Sequence, residues 1–178
     1  SNSGQVKDFE ESFRSSDKET LICRLTMIER YNHDAEHIGY QGLILLPEIG
    51  LTSEFEKKFI EYFGFNPAIW HSGVSKKRKK VIWSGLASKK IKVVIGARSA
   101  LFLPFKKLGI IIVDEEHDQS FKQDEGVIYN ARDMAISRAY FENIPINLIT
   151  AVPSIESYAN IKKEKYSLSR LIHRYQNA

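Results

Sequence analysis

Cysteine is almost missing from this chain: Cys23 stands alone among 178 residues. A single thiol excludes a disulfide framework and a cysteine-rich zinc site, and it fits a reducing cytoplasm. Long apolar runs are missing too, so no stretch reads as a membrane span. The first residues lack the pattern of a secretory signal, and the opening Ser1-Asn2 reads as a tag remnant. There is no internal repeat and no low-complexity linker. Neither sign of charge dominates, with 26 Lys and Arg against 22 Asp and Glu for a net charge of +4. The basic residues are nonetheless uneven: Lys76 to Lys80 are five consecutive cations, and Lys89, Lys90 and Lys92 follow closely. Such a run is either a solvated helix face or a surface that follows phosphates. With 43% hydrophobic and 27% charged residues, what remains is a globular domain long enough to bury a core.

Along the chain, residues 1–40 are polar, with a helical pattern best seen from Thr20 to Tyr31. From Gly42 the texture changes. GLILLPE reads as a strand, and Phe55, Phe59, Ile60 and Phe63 recur at helical spacing until Gly64 ends the helix. A short strand ends at AIWHS, where His71 reads as a structural strand-end residue. A basic helix over 75–86, the strands IKVVIGA and LGIIIVDE, a helix over 131–141, the strand INLITAV and a helix capped by Ser154 complete the series. Strands alternating with helices predict an α/β fold, a parallel sheet with helices on both faces.

One stretch organises the rest, Ile110 to Arg132. A continuous apolar run enters Asp114-Glu115-Glu116-His117, which predicts a buried strand ending in a cluster of acids. In an open α/β sheet, ligands gather at the carboxyl ends of strands. Asp114 in that place suits a Mg ion that bridges nucleotide phosphates, and Glu115 suits the orientation of an attacking water. Glu116 and His117 face whatever moves when a phosphate leaves. Downstream, Phe121, Lys122, Gln123, Tyr129 and Arg132 mix aromatic and cationic groups, a composition able to stack bases and neutralise phosphates. Upstream, LLPEIGLT places Thr52 at a helix start, where free N–H groups meet anions. GARSALF offers Gly96 for close backbone approach and Arg98 with Ser99 as a phosphate clamp.

DEEHDQSFKQDEG followed by YNARD, together with LLPEIGLT, WHSGVS, IGARSALFLPFKKLG and VPSIES in fixed order, is similar to the primosomal replication-restart helicases of the PriA (primosomal protein N′) family, superfamily 2 DNA helicases. The resemblance covers roughly residues 41–175. It implies a RecA-like, P-loop NTPase type of lobe over 41–178, ATP and Mg as cofactors, and 3′ to 5′ unwinding of DNA at stalled forks. It also implies catalytic roles for Asp114, Glu115, Glu116 and His117, and DNA contacts at Thr52, Arg98, Ser99, Phe121, Lys122, Tyr129 and Arg132. Single-stranded or forked DNA, a second helicase lobe and other primosome proteins are the implied partners, in the cytoplasm and away from membranes. The second lobe, an arginine finger and zinc- and DNA-binding domains have no room in 178 residues.

Two stretches depart from the family. A phosphate-binding loop reads G-x-x-x-x-G-K-[ST], with glycines that let backbone N–H groups converge on phosphates. Here the candidate is Arg14 to Thr20, with Lys18 and Thr20 as the nucleotide-binding residues. Asp17 replaces a glycine and Glu19 replaces the Mg-binding hydroxyl, so two carboxylates face a triphosphate. At Thr150-Ala151-Val152-Pro153, Val152 lacks the hydroxyl that couples nucleotide to DNA in relatives. Two other functions therefore stay open: a catalytically inactive DNA-binding or regulatory remnant of such a helicase, and an unrelated small α/β enzyme with a metal at the acidic cluster.

Overall fold

A computed structural model describes residues 39–47 and 53–169. Seven strands and four helices alternate in it. They are β1 (Gln41–Leu45), α1 (Ser53–Phe63), β2 (Ala68–Trp70), α2 (Lys76–Ala87), β3 (Val93–Gly96), β4 (Leu108–Asp114), β5 (Lys122–Gln123), β6 (Tyr129–Asn130), α3 (Ala131–Glu142), β7 (Ile146–Ile149) and α4 (Ile155–Lys162). Short 3-10 turns cover Arg98–Phe102 and Gln119–Phe121. The main sheet runs β2-β3-β1-β4-β7, and each neighbouring pair is parallel. The predicted helix over Thr20–Tyr31 lies outside the described residues.

β4 explains the architecture. All seven of its residues are buried, and they alternate between two cores. Ile111 and Val113 pack with Leu43 and Leu45, with Ile82 and Leu86 of α2, and with Ala131, Ala135 and Ala139 of α3. Ile110 and Ile112 pack on the other face with Ile44, Ile95 and Phe59 of α1. A strand apolar on both sides needs cover on both sides, which α2 and α3 supply on one face and α1 on the other. The predicted parallel α/β sheet with helices on both faces is therefore present, with β4 inside it.

Local chemistry sets the element ends. Ser75 caps α2 by accepting from Arg78 N–H at 3.3 Å, and Asn130 caps α3 by accepting from Arg132 N–H at 2.9 Å. Ser154 caps α4 by accepting from Ser157 N–H at 3.2 Å, as its position before that helix predicts. His71 turns its Nδ1 onto Gly73 N–H at 3.2 Å, in keeping with a structural role. The stretch that reads as an aromatic-rich loop contains an antiparallel two-stranded hairpin, β5 with β6.

Candidate functional site

Asp114 is the last residue of β4 and is 5% exposed. Its Oδ1 accepts from Glu115 N–H at 2.8 Å, so the backbone folds back over the carboxylate as the strand ends. Glu115 takes φ +49, a left-handed conformation rare for a residue with a side chain. Strain of this kind collects where a surrounding structure dictates side-chain direction. The turn is held from two sides, by Asp118 N–H donating to Glu115 C=O at 2.8 Å and by Glu116 N–H donating to Ile149 C=O at 3.1 Å.

The four acidic-cluster residues then divide. Asp114 and Glu115 stay at the strand end, with Glu115 partly exposed, a donor set suited to a hydrated Mg ion that takes one or two carboxylates and fills its other positions with water and phosphate oxygens. Glu116 goes the other way and is 2% exposed. Its Oε1 accepts from Ser154 N–H at 2.7 Å, and its Oε2 accepts from Ser154 Oγ at 2.9 Å and Arg132 Nη1 at 3.1 Å. Burial opposes ionisation of Glu116, but the Ser154 N–H and hydroxyl, then Ser157 and Arg132, outweigh it. They hold its carboxyl below the usual glutamate range. His117 is exposed, with Nδ1 2.6 Å from the Thr150 hydroxyl and 3.6 Å from Glu115 Oε2.

Two residues in the aromatic-rich stretch correct the sequence-based expectation. Phe121, expected as a base-stacking platform, is 1% exposed and packs in the core with α3. Arg132, expected on a DNA phosphate, is also buried. Its Nε and Nη2 reach Asp133 Oδ1 at 2.8 Å, and its Nη1 donates to Ser154 Oγ at 2.7 Å and to Glu116. Burial disfavours its charge, and Asp133 followed by Glu116 more than restores it, so its basicity is raised. An aromatic and a cation in one short segment look alike in sequence whether they face a ligand or the core; here Glu116, Ser154 and Asp133 hold the Arg132 side chain.

The other expected contacts remain at the surface. Arg98 is half-buried and donates from Nη1 to Lys122 C=O, tying the 3-10 turn to the hairpin. Ser99 is exposed and accepts from Trp70 Nε1 at 3.2 Å. Lys122 is exposed, 3.1 Å from Asp124. Tyr129 meets Phe102 edge to face with ring centroids 5.3 Å apart. Arg98, Ser99, Lys122 and Tyr129 are thereby brought to one hairpin and the turn beneath it. Lys18, Thr20 and Thr52 lie outside the described residues. Sequence reasoning missed Ser154 as a partner of Glu116, and Asp133 and Ser157 as its supports. The Ser-x-x-Ser spacing announces the cap and gives no sign of the carboxylate it also holds.

A buried acid at the end of an interior strand, a left-handed turn beside it and a second loop hydrogen-bonded to that turn sit together at the carboxyl end of a parallel sheet, the end at which open α/β sheets bind ligands. The chain belongs to the DEAD/DEAH box helicases, whose family model matches residues 19–161. Within that class its relatives are PriA proteins. It is 52% identical to the Replication restart protein PriA of Rickettsia typhi over 171 residues, 93% of this chain and 26% of that protein. It is 43% identical to that of Bacillus subtilis over 76% of this chain and 17% of the relative. It is 44% identical to that of Helicobacter pylori strain J99 over 75% of this chain and 21% of the relative. The chain thus spans about a quarter or less of these relatives. Membership of the helicases also removes the reading as an unrelated small metal enzyme.

Proposed function

We propose that this chain is the first RecA-like lobe of a PriA-type replication-restart helicase, the part that couples ATP hydrolysis to 3′ to 5′ movement on single-stranded or forked DNA. The observation that carries it is the division of the acidic cluster. Asp114 would hold Mg, which would offset charge on the nucleotide phosphates. Glu115, aimed by its left-handed backbone, orients the attacking water. Glu116, held by Ser154 and Arg132, and His117, held by Thr150, join the turn to the segment after β7. The hydroxyl absent at Val152 is partly replaced in that role by Thr150 and Ser154. Arg98, Ser99, Lys122 and Tyr129, with Thr52, contact the DNA backbone, while Lys18 and Thr20 face the nucleotide. A second helicase lobe and other primosome proteins are the partners of this reading.

The carboxylates at Asp17 and Glu19 favour a second reading, a catalytically inactive DNA-binding or regulatory remnant. One titration separates the two. A lobe that releases phosphate from ATP on adding single-stranded DNA, however weakly it binds the nucleotide, with release lost in Glu115→Gln, is a working motor part. A lobe that binds DNA but neither binds nor cleaves ATP is a remnant. A chain that binds neither overturns both.

A further inference from the structure

We propose that the chain has a second single-stranded nucleic-acid site, on the far edge of the sheet from the acidic turn, in the groove where α2 passes the outer side of β2. β3 and β1 lie between β2 and β4, so this groove is separate from the site at Asp114. It is a cavity of about 600 Å³, within the range of sites that hold small organic groups. Phe63, Phe65 and Ile91 line it together with Arg78, Lys90 and Lys92, and Phe63 and Phe65 are half-buried with one side against Phe59. Among the described residues no Asp or Glu lines it. Arg78 and Lys90 are exposed, and among the described residues neither side chain has an ion pair or hydrogen bond.

The sequence around the groove points to the kind of ligand. From Lys76 to Lys92 the chain holds Lys76 to Lys80, Lys89, Lys90 and Lys92 and not one acid. A surface balanced for solubility mixes signs, and a helix stabilised by side-chain pairs places acids four residues from bases. α2 does neither. Cations spread along a helix and around its far end match a chain that repeats one negative charge per nucleotide. An open groove of mixed polar and apolar lining beside them, with Phe63 and Phe65 among its walls, suits an unstacked base, which packs on aromatic faces whatever its identity. An acidic peptide offers the same charge sign but needs fewer cations. A helicase lobe with a phosphate-tracking edge away from its motor face would hold a second length of strand. The groove is a different surface from the Arg98 and Lys122 hairpin read above as the DNA face, and it stands or falls separately.

The test uses the purified chain and a fluorescent oligothymidylate of about five nucleotides, short enough to fill one surface at a time. Wild type should bind two oligonucleotides per chain, and the Arg78→Ala/Lys90→Ala variant one. For a longer oligonucleotide, that variant should lower the slope of log affinity against log salt by about 1.4, two phosphate contacts at about 0.7 each. Lys90→Ala alone, with a change of about 0.7, serves if the double variant does not fold. Unchanged stoichiometry and slope in these variants overturn the proposal. So does an acidic, phenylalanine-containing peptide that occupies the groove more tightly than the oligonucleotide and is lost in the same variants. If Arg98→Ala changes nothing while Arg78→Ala/Lys90→Ala abolishes all binding, the groove stands and the DNA reading of the upper surface fails. The reverse pattern sinks the groove and leaves that reading intact.

Discussion

At Arg132 one guanidinium meets oxygens from four side chains: Glu116, Asp133 and Ser154 within hydrogen-bond distance, and Glu156 at 3.7 Å. A buried charge network of this kind contributes little over an apolar packing of the same shape, but removing one partner leaves the other charge stranded. Arg132→Ala should therefore destabilise the chain by about 3 kcal/mol, measured by urea unfolding; an unchanged midpoint would return Arg132 to the surface role its sequence context suggests. The pH dependence has a definite sign. Glu116 titrates below its ordinary value in the folded chain, so its contribution is whole above the unfolded glutamate pKa, about 4.3. It is lost as pH falls through the lower folded value. Thermal melts from pH 7 to pH 3 should show this loss in the native chain, while Glu116→Gln should start less stable at neutral pH and lack that part of the acid response. Asp114 and Glu115 are legible in sequence because a strand end fixes their place. Arg132 and Phe121 are not, because whether a side chain beside a turn points in or out depends on the partners that meet it, Glu116, Ser154 and Asp133 for Arg132, and on the core that α3 brings over.

The turn after β3 shows how an element positions the two residues proposed to contact DNA, Arg98 and Ser99. A Cβ built on Gly96 would lie 2.6 Å from Trp70 C=O and 2.6 Å from Ala100 Cβ, so the strand can pass into the 3-10 turn bearing Arg98 and Ser99 only with glycine there. Gly96→Ala should cost about 1 to 3 kcal/mol through overpacking. It should also weaken DNA binding, because Arg98 and Ser99 shift with the turn. Stability by unfolding and affinity by fluorescence anisotropy check the two effects separately, and full retention of both would mean that the turn yields more easily than its contacts allow. The need for close approach at Gly96 is visible in sequence, as are the boundaries of α1, α2, α3 and α4, because hydrophobic spacing and capping residues are local signals. The β5–β6 hairpin is not visible. Each strand has two residues, too few to show alternation, and the pair depends on Arg98 holding Lys122 C=O and Tyr129 resting on Phe102.

For the molecule as a whole, the decisive quantity is how tightly it binds ATP. In the proposed function the strand-end acids, the left-handed turn and the segment after β7 would surround a nucleotide's terminal phosphate, but affinity in this class of fold comes chiefly from backbone N–H groups and a lysine that enclose the phosphates. If Arg14 to Thr20 is the phosphate loop, as the sequence reading has it, Asp17 takes the place of a glycine. Asp17 and Glu19 also add two negative charges beside a polyanion, which Lys18 alone does not offset. ATP should therefore bind with a Kd in the high micromolar range or weaker, because loss of even one charge-assisted hydrogen bond removes roughly 1.5 to 3 kcal/mol, and each 1.4 kcal/mol is about tenfold in affinity. Calorimetric titration with Mg-ATP measures this directly. Asp17→Gly combined with Glu19→Thr removes both charges and restores a glycine and a hydroxyl, and should tighten binding by at least about tenfold. If the native chain already binds at low micromolar concentration, the phosphates are held by other groups and the remnant reading fails. If the double variant gains nothing, the weakness lies elsewhere than in these two carboxylates, and the assignment of Lys18 to the phosphate loop falls with it.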